Sequence, residues 1–241
     1  MRLLIIRHGD PDYEHDTLTP QGEREAELLG QELSHTPIDA AYVSPLGRAK
    51  RTAQLALAGR DIPCTECAWL REFDPRIPRP DREGLSITWD WLPEHWTAEP
   101  DFLSEDTWLR PEPMDAGHVA EACQEVCTGL DVLLDRHGYH REGQIYRAQR
   151  PNHDTIALFC HFGVESVVLG HLLHISPMLL WHGFCALPTS VTTVYTEERR
   201  QGTASFRVSE YGALPHLRRA GVEPSFSARF CECFHDDTRH D

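Results

Sequence analysis

Two histidines stand directly after apolar segments, beside residues that suit the binding of an anion. His8 follows the apolar run 3–6 and lies between Arg7 and Gly9, and His161 follows a second apolar run. A neutral imidazole is a good nucleophile near pH 7, and the planar fork of an arginine matches phosphate oxygens. Gly9 lets the backbone turn sharply and approach an anion. These residue types suit nucleophilic attack on a phosphoryl group.

A second arginine belongs to a predicted helix start. Ser44-Pro45 has the N-cap and first-position residues typical of helices, and Arg48 would lie one turn further on. The free N–H groups and the dipole of a helix N-terminus favour an anion. An isolated arginine is usually a solvated surface residue, and a lone histidine is usually structural. Arg7, Arg48 and His161 each come shortly after the end of a predicted strand. We therefore predict that the three side chains share one anion-binding site.

The elements around these residues predict an α/β fold. Buried strands over 3–6, 40–43 and 155–160 alternate with helices that begin at Thr19-Pro20 and Ser44-Pro45, and with helices over 117–136 and 163–174. Two last strands are predicted over 191–195 and 205–208. Alternating strands and helices favour a three-layer αβα sandwich with a mostly parallel central sheet. In such sheets the ligand lies at the carboxyl ends of the strands, where both histidines stand.

Five short motifs occur in the order of a known family. They are Leu-Ile-Ile-Arg-His-Gly (4–9), Leu-Thr-Pro-Gln-Gly-Glu (18–23), Val-Ser-Pro-Leu-Gly-Arg-Ala-Lys-Arg-Thr-Ala (43–53), Leu-Arg-Glu (70–72) and His-Phe-Gly (161–163). From about residue 3 to residue 196 the chain resembles the histidine phosphatase superfamily, which is phosphoglycerate mutase-like. The first and third motifs are specific, and Leu-Arg-Glu alone is weak.

The resemblance implies roles for individual residues. It makes His8 the nucleophile, Glu72 the proton donor, and Arg7, Arg48 and His161 a phosphate clamp, with Gly9 and Ser44 also against the substrate. Two guanidiniums and an imidazole can neutralise the charge of phosphoryl transfer, so no metal or cofactor is expected. The expected activity is a metal-independent phosphomonoesterase that acts on a small phosphorylated metabolite through a phosphohistidine.

Two positions depart from the family pattern. Pro11 stands where family members commonly have Thr, and Glu14 stands where they commonly have Asn. Proline lacks the hydroxyl donor, and a carboxylate near the pocket would oppose a second phosphate. We therefore favour a phosphatase over a phosphoglycerate mutase-type phosphotransferase. A catalytically silent member that binds a phosphorylated ligand or a protein partner is a further alternative.

The proton donor has competing assignments. Asp74 and Glu83 are close to Glu72 in sequence, and Glu165 comes one helical turn after His161. Members that use an acid directly after the second histidine have Asp there, whereas this chain has Phe162. Glu72 is our first assignment, and an exposed structural acid is the alternative for it.

A long segment between the predicted elements matches no motif. Residues 74–115 are rich in Pro and Trp and are predicted to form a cap or insertion over the site. Trp89, Trp91, Trp96 and Trp108 should pack this cap against the rest of the chain, and a tryptophan that faces the substrate is the alternative. We predict one domain over 1–241 with an irregular tail over 215–241.

Composition limits the partners. The 38 acidic and 23 basic side chains give a net charge of -15, which repels nucleic acid and anionic membrane. The N-terminal apolar run is too short for a signal peptide or a membrane span. We therefore expect a cytoplasmic enzyme whose partner is a small-molecule phosphomonoester substrate. Neither nucleic acid nor a membrane is expected as a partner. The sequence defines no oligomeric state.

Cysteine spacing suggests a competing metal hypothesis. Cys64-x-x-Cys67 and Cys231-x-Cys233-x-His235 have local spacings of zinc ligands. They would form one zinc site if these distant segments met. Our first expectation is that the two cysteine segments lie apart and that no metal is bound.

Overall fold

The computed structural model describes residues 1–227, 229–236 and 238–240. The strands are β1 (Arg2–Arg7), β2 (Pro11–Asp12), β3 (Thr17–Leu18), β4 (Ala40–Val43), β5 (Cys64–Glu66), β6 (Arg76–Arg79), β7 (Arg82–Ile87), β8 (Tyr139–Glu142), β9 (Ile145–Ala148), β10 (Thr155–Cys160), β11 (Val191–Arg200) and β12 (Thr203–Ala213). The helices are α1 (Pro20–Leu33), α2 (Gly47–Ala56), α3 (Pro93–Trp96), α4 (Glu112–Ala116), α5 (Val119–Arg136), α6 (Phe162–Leu173), α7 (Pro177–Gly183) and α8 (Pro215–Ala220). Short 3₁₀ turns cover Ala68–Leu70 and Pro100–Leu103.

The central sheet has eight strands in the order β5-β4-β10-β1-β11-β12-β9-β8. The α/β class is confirmed, but the prediction of a mostly parallel sheet is wrong for half of it. The pairs from β5 to β1 are parallel, and every pair from β1 to β8 is antiparallel. Two of the four antiparallel pairs, β8 with β9 and β11 with β12, are hairpins, and a hairpin joins its strands antiparallel.

Alternate side chains of β1 enter two hydrophobic layers. Leu3 and Ile5 are fully buried against α5 and α6, and Leu4 and Ile6 pack against α1 and α2. A strand covered on both faces needs an apolar residue at every position, which explains the continuous apolar run. The same rule explains β10, in which every residue is buried.

Two helix starts were predicted from a residue before proline, and they have different outcomes. Thr19 caps α1 as expected, because its side chain accepts the Gly22 N–H and Pro20 opens the helix. Helix α2 begins only at Gly47, after an extended Leu46, so Ser44 is not its N-cap. The Ser44 hydroxyl instead contacts a histidine of the site described below.

The segment 74–115 is an ordered insertion. It contains the β6–β7 hairpin, α3 and α4, and it joins the larger hydrophobic core through Ile77, Phe102 and Trp108. Trp108 meets Trp181 of α7 edge to face, with 5.6 Å between ring centroids. The insertion is therefore packed firmly onto α6 and α7.

The tail is more ordered at its start than predicted. Residues 215–220 form α8, and the described residues after it form no further helix or extended strand. Ser225 returns to α1, where its backbone N–H donates to Glu25 at 3.0 Å. Among the described residues, no helix is both long and apolar enough to span a bilayer.

Candidate active site

The carboxyl ends of three adjacent parallel strands bring the two histidines together. Arg7 pairs with Cys160 in the register of β1 and β10, and the His8 N–H donates to the Cys160 carbonyl at 3.0 Å. The two imidazoles lie side by side, with 5.0 Å between the ring centroids of His8 and His161. Ser44 follows the third strand, β4, at the same edge. The structure thus places His8, His161 and Ser44 together at one edge of the sheet.

His8 is fixed in one tautomer. Its Nδ1 lies 2.7 Å from the Gly9 carbonyl oxygen, which can only accept a hydrogen bond. The proton therefore sits on Nδ1, and Nε2 keeps its lone pair. Burial, followed by the nearby Arg7 guanidinium, holds the pKa of His8 well below its usual value. The imidazole stays neutral, as a nitrogen nucleophile requires.

His161 is held by Ser44. The Ser44 Oγ lies 2.7 Å from His161 Nε2 and also accepts the Leu46 N–H at 3.2 Å. Since Oγ accepts from the backbone, its own proton can be donated to Nε2, and in that tautomer the ring proton is on Nδ1. Nδ1 is buried and has no hydrogen-bond partner among the described residues. It is a donor left unpaired, which suits an anion in the site.

Arg7 and Arg48 are both buried, and each is fixed through one nitrogen. Arg7 Nη1 donates to the Ala186 carbonyl at 2.5 Å, and Arg48 Nη1 donates to Asp16 Oδ1 at 2.7 Å. The Nε atoms of both have no partner among the described residues. Both guanidiniums lower the pKa of His161, after the larger effects of burial and of His8. The site thus gathers positive charge in a chain of net charge -15.

Glu72 is held against the start of α6. Its Oε1 accepts the Phe73 N–H at 2.8 Å and the Val164 N–H at 3.3 Å. Burial raises the pKa of Glu72 despite these donors and the guanidiniums of Arg7 and Arg48. A carboxyl group with a raised pKa keeps its proton to higher pH, which suits a general acid.

Gly163 makes room for this arrangement. A Cβ atom at residue 163 would lie 2.6 Å from Glu72 Oε1 and 2.6 Å from Trp89 Nε1. Those distances are too short for any side chain. The glycine of the His-Phe-Gly motif therefore allows close packing of Glu72 and of the insertion.

The three competing acids lie in less suitable places. Asp74 is exposed and pairs with Arg71 at 3.8 Å, and Glu83 is exposed in β7. Glu165 is fully buried in α6, where the nearby Thr192 side chain only partly offsets the effect of burial on its pKa. Burial raises the pKa of Glu165 to about 7.

Asp16 is a site residue that the sequence analysis missed. Besides Arg48, it accepts the Gly47 N–H at 2.6 Å through its second oxygen, so it occupies the N-terminus of α2. No spacing rule singles out this aspartate, because it comes from a loop 31 residues before Gly47. Glu14, which was expected near the pocket, is exposed, and Pro11 lies in β2.

The cysteine pairs do not form the alternative zinc site. Cys64 and Cys67 lie at the β5 edge of the sheet, whereas Cys231 lies beside the cavity next to Arg7. In the part of the chain that the structure describes, no group of three or more His, Cys, Asp or Glu side chains could hold a metal ion.

Comparison with protein families identifies one match. The model of the histidine phosphatase superfamily (branch 1) matches residues 3–208. This range contains every predicted site residue.

Relatives and solved structures agree with this match. The chain is 25% identical over 191 residues to the adenosylcobalamin/alpha-ribazole phosphatase of Salmonella typhi, covering 76% of this chain and 84% of that protein. Phosphoserine phosphatase of Entamoeba histolytica has a similar fold, with a TM-score of 0.57, 21% identity and coverage of 90% and 98% of the two chains. The alpha-ribazole phosphatase of Shigella flexneri also has a TM-score of 0.57, with 22% identity and coverage of 89% and 98%.

Proposed function

Because the chain belongs to the histidine phosphatase superfamily, we propose that it is a metal-independent phosphomonoesterase that forms a phosphohistidine on His8. One observation carries the proposal most directly. The hydrogen bond from His8 Nδ1 to the Gly9 carbonyl leaves a neutral Nε2 lone pair beside two buried guanidiniums. Such a nitrogen can attack a phosphorus atom whose oxygens are bound to the cations.

The first chemical step transfers the phosphoryl group to the enzyme. Nε2 of His8 forms a bond to phosphorus while the bond from phosphorus to the ester oxygen breaks. Arg7, Arg48 and the Nδ1–H of His161 neutralise charge on the phosphoryl oxygens. Glu72 gives its proton to the leaving alkoxide, which departs as an alcohol.

The second step returns the enzyme to its starting state. Ionised Glu72 takes a proton from a water molecule, and the water oxygen attacks phosphorus as the P–N bond breaks. Inorganic phosphate leaves, and His8 regains its lone pair. One carboxyl group thus serves both steps.

Several features favour water over a second substrate as the phosphoryl acceptor. Pro11 has no hydroxyl group, so this loop offers one hydrogen-bond donor fewer to the second phosphate of a bisphosphate. The relative from Salmonella typhi is named an adenosylcobalamin/alpha-ribazole phosphatase, which is a hydrolase name and not that of a mutase. We also propose a cytoplasmic location, since eight free thiols suit a reducing compartment.

Labelling tests the nucleophile. The purified protein, mixed briefly with a radioactive phosphomonoester and quenched in alkali, should carry an acid-labile label. His8→Ala should abolish the label, while His15→Ala, an exposed histidine of the adjacent loop, should keep it. Labelling that persists in His8→Ala would contradict the proposal. Transfer of the label to a sugar acid rather than to water would indicate a mutase.

Chelation tests the independence from metal. Activity should survive prolonged treatment with EDTA, because protein cations neutralise the phosphate. Loss of activity that Zn²⁺ restores would favour a metalloenzyme instead.

A further inference from the structure

A cavity of about 570 Å³ opens beside the phosphate-binding residues. Its wall includes Arg7 and Phe162, the residue that follows His161. Because Arg7 belongs both to the phosphate site and to this wall, the leaving group of a bound phosphomonoester has room to enter the cavity. The shape and chemistry of the cavity bear directly on the substrate.

The wall nearest the site is aromatic and rigid. Trp89 of the insertion meets Phe162 edge to face, with 5.8 Å between ring centroids and an interplanar angle of 88°. Trp89 Nε1 donates to the Phe73 carbonyl at 2.8 Å, which fixes the orientation of the indole. Neither ring needs a polar partner from a ligand.

A second part of the wall is a stacked pair of rings. Trp96 lies over His182, with 5.1 Å between ring centroids and an interplanar angle of 24°. His182 Nδ1 donates to the Met178 carbonyl at 2.8 Å, and Nε2 accepts the Trp91 N–H at 3.3 Å. Both ring nitrogens of neutral His182 thus have hydrogen-bond partners within the protein. The stacked rings of Trp96 and His182 offer a flat surface to a ligand.

The charged residues of the cavity have protein partners. Asp90 accepts from Arg79 at 2.8 Å, Arg229 donates to the Pro224 carbonyl at 2.6 Å, and Arg239 donates to the Phe230 carbonyl. A small sugar acid needs polar partners for its carboxylate and its hydroxyls when it leaves water. A flat apolar ring instead gains from burial against aromatic faces.

We propose that the substrates are phosphomonoesters of alcohols that carry a planar aromatic or heteroaromatic ring, which packs against Trp89 and Trp96. This inference rests on the proposed function, since it assigns the leaving group of the same site. A nucleoside and a simple aryl alcohol share this chemistry. The experiment separates the two sources.

Matched pairs of substrates isolate the ring. AMP and ribose 5-phosphate have the same ester bond and differ by the heteroaromatic base, and 2-phenylethyl and 2-cyclohexylethyl phosphate differ in aromaticity. We expect kcat/KM to be roughly tenfold or more higher for the aromatic member of at least one pair, as stacking and ring burial would give. The pair with the larger ratio identifies a nucleoside-type or an aryl-type alcohol.

Variants locate the preference in the cavity. Trp96→Leu should reduce the aromatic ratio several-fold, and Trp96→Phe should retain much of it. Tyr195→Leu removes an exposed aromatic residue of β11, outside this cavity, and should leave the ratio as it is. Equal loss of the ratio in Tyr195→Leu would contradict the assignment to the cavity.

Binding to the His8→Ala protein gives a second readout. Calorimetry with all four compounds measures ring preference in the absence of turnover. Turnover of ribose 5-phosphate and 2-cyclohexylethyl phosphate at the rates of their aromatic partners, with equal binding, would overturn the ring inference and leave the phosphatase intact. Tighter binding of the aromatic member without turnover by the wild type would overturn the phosphatase and support the ring inference. Failure of all four compounds to bind or react would overturn both.

Discussion

Asp16 Oδ1 lies 2.7 Å from Arg48 Nη1, so an acidic loop residue fixes an arginine of the candidate phosphate site. The other oxygen of Asp16 holds the Gly47 N–H at the N-terminus of α2. The carboxylate therefore sets the direction of the guanidinium and the position of the helix start at once.

Removing Asp16 should act through Arg48. We expect Asp16→Ala to lower kcat/KM about tenfold and Arg48→Ala to lower it at least ~100-fold, because only the second loses the cation itself. The double variant should be no worse than Arg48→Ala alone, since the two residues act as a unit. Asp12→Ala, a carboxylate bound to His15 in the same loop, is the matched control. Additive losses in the double variant would show that Asp16 acts independently.

Ser44→Ala should change the proton position on His161. Without the hydroxyl at Nε2, the ring is free to carry its proton there, and Nδ1 loses its donor role. We expect a decrease in kcat of roughly tenfold, typical of the loss of one oriented donor. The ¹⁵N shifts of the His161 ring should reveal the altered tautomer. Unchanged shifts with reduced activity would mean that Ser44 acts in another way.

Glu72→Gln should slow phosphoenzyme formation according to the leaving group. For an alkyl phosphate we expect a loss of about 100-fold or more, whereas p-nitrophenyl phosphate leaves as a stable phenolate and should lose much less. Rapid-quench measurement of the phosphoenzyme is needed, since its hydrolysis also uses this residue. Asp74→Asn serves as the control, because that acid is exposed and pairs only with Arg71 among the described residues. Equal slowing for both leaving groups would make Glu72 structural.

The pH dependence of phosphoenzyme formation should follow the raised pKa of Glu72. Burial raises that pKa, so the acid keeps its proton above the ordinary range of a glutamate and loses it as the pH increases further. The rate with an alkyl phosphate should therefore fall on the alkaline side. Burial lowers the pKa of His8, so its protonation should limit the rate only at distinctly acidic pH. Single-turnover rates should decrease at alkaline pH in the wild type and not in Glu72→Gln. If the decrease persists in Glu72→Gln, a group other than Glu72 causes it.

Glu165 should reduce stability at high pH. Its pKa is about 7 in the folded protein and ordinarily 4.5, so the folded state holds a proton that the unfolded chain has already lost. The free energy of unfolding should fall as the pH rises from about 4.5 to 7, by up to about 3 kcal/mol. Glu165→Gln should thus be more stable than wild type at pH 8 and similar to it near pH 4.5.

Urea denaturation in the presence of reductant, at both pH values, measures this difference. Glu125→Gln changes an exposed acid of α5 and should have little effect at either pH. A gain in stability that is the same at pH 4.5 and pH 8 would show that Glu165 does not titrate in this range.

The sequence determined the parts of this protein that depend on neighbouring residues. The continuous apolar runs 3–6 and 155–160 indicate strands buried on both faces, and the histidine after each run lies at a carboxyl end. Thr19-Pro20 predicted the start of α1, since N-capping is a local interaction. Those signals, together with the motifs, were sufficient to predict the family. They also led to the prediction that His8, His161, Arg7 and Arg48 share one site.

The tertiary structure alone decided the contacts between distant segments. The strands β8 and β9 have polar, half-exposed sequences without a clear pattern, and their hairpin extends the antiparallel half of the sheet. Asp16 reaches Arg48, Ser44 turns from the helix start to His161, and Glu165 becomes fully buried only when the chain is folded. Hydrogen bonds and burial of this kind depend on distances in space, which residue spacing along the chain does not fix.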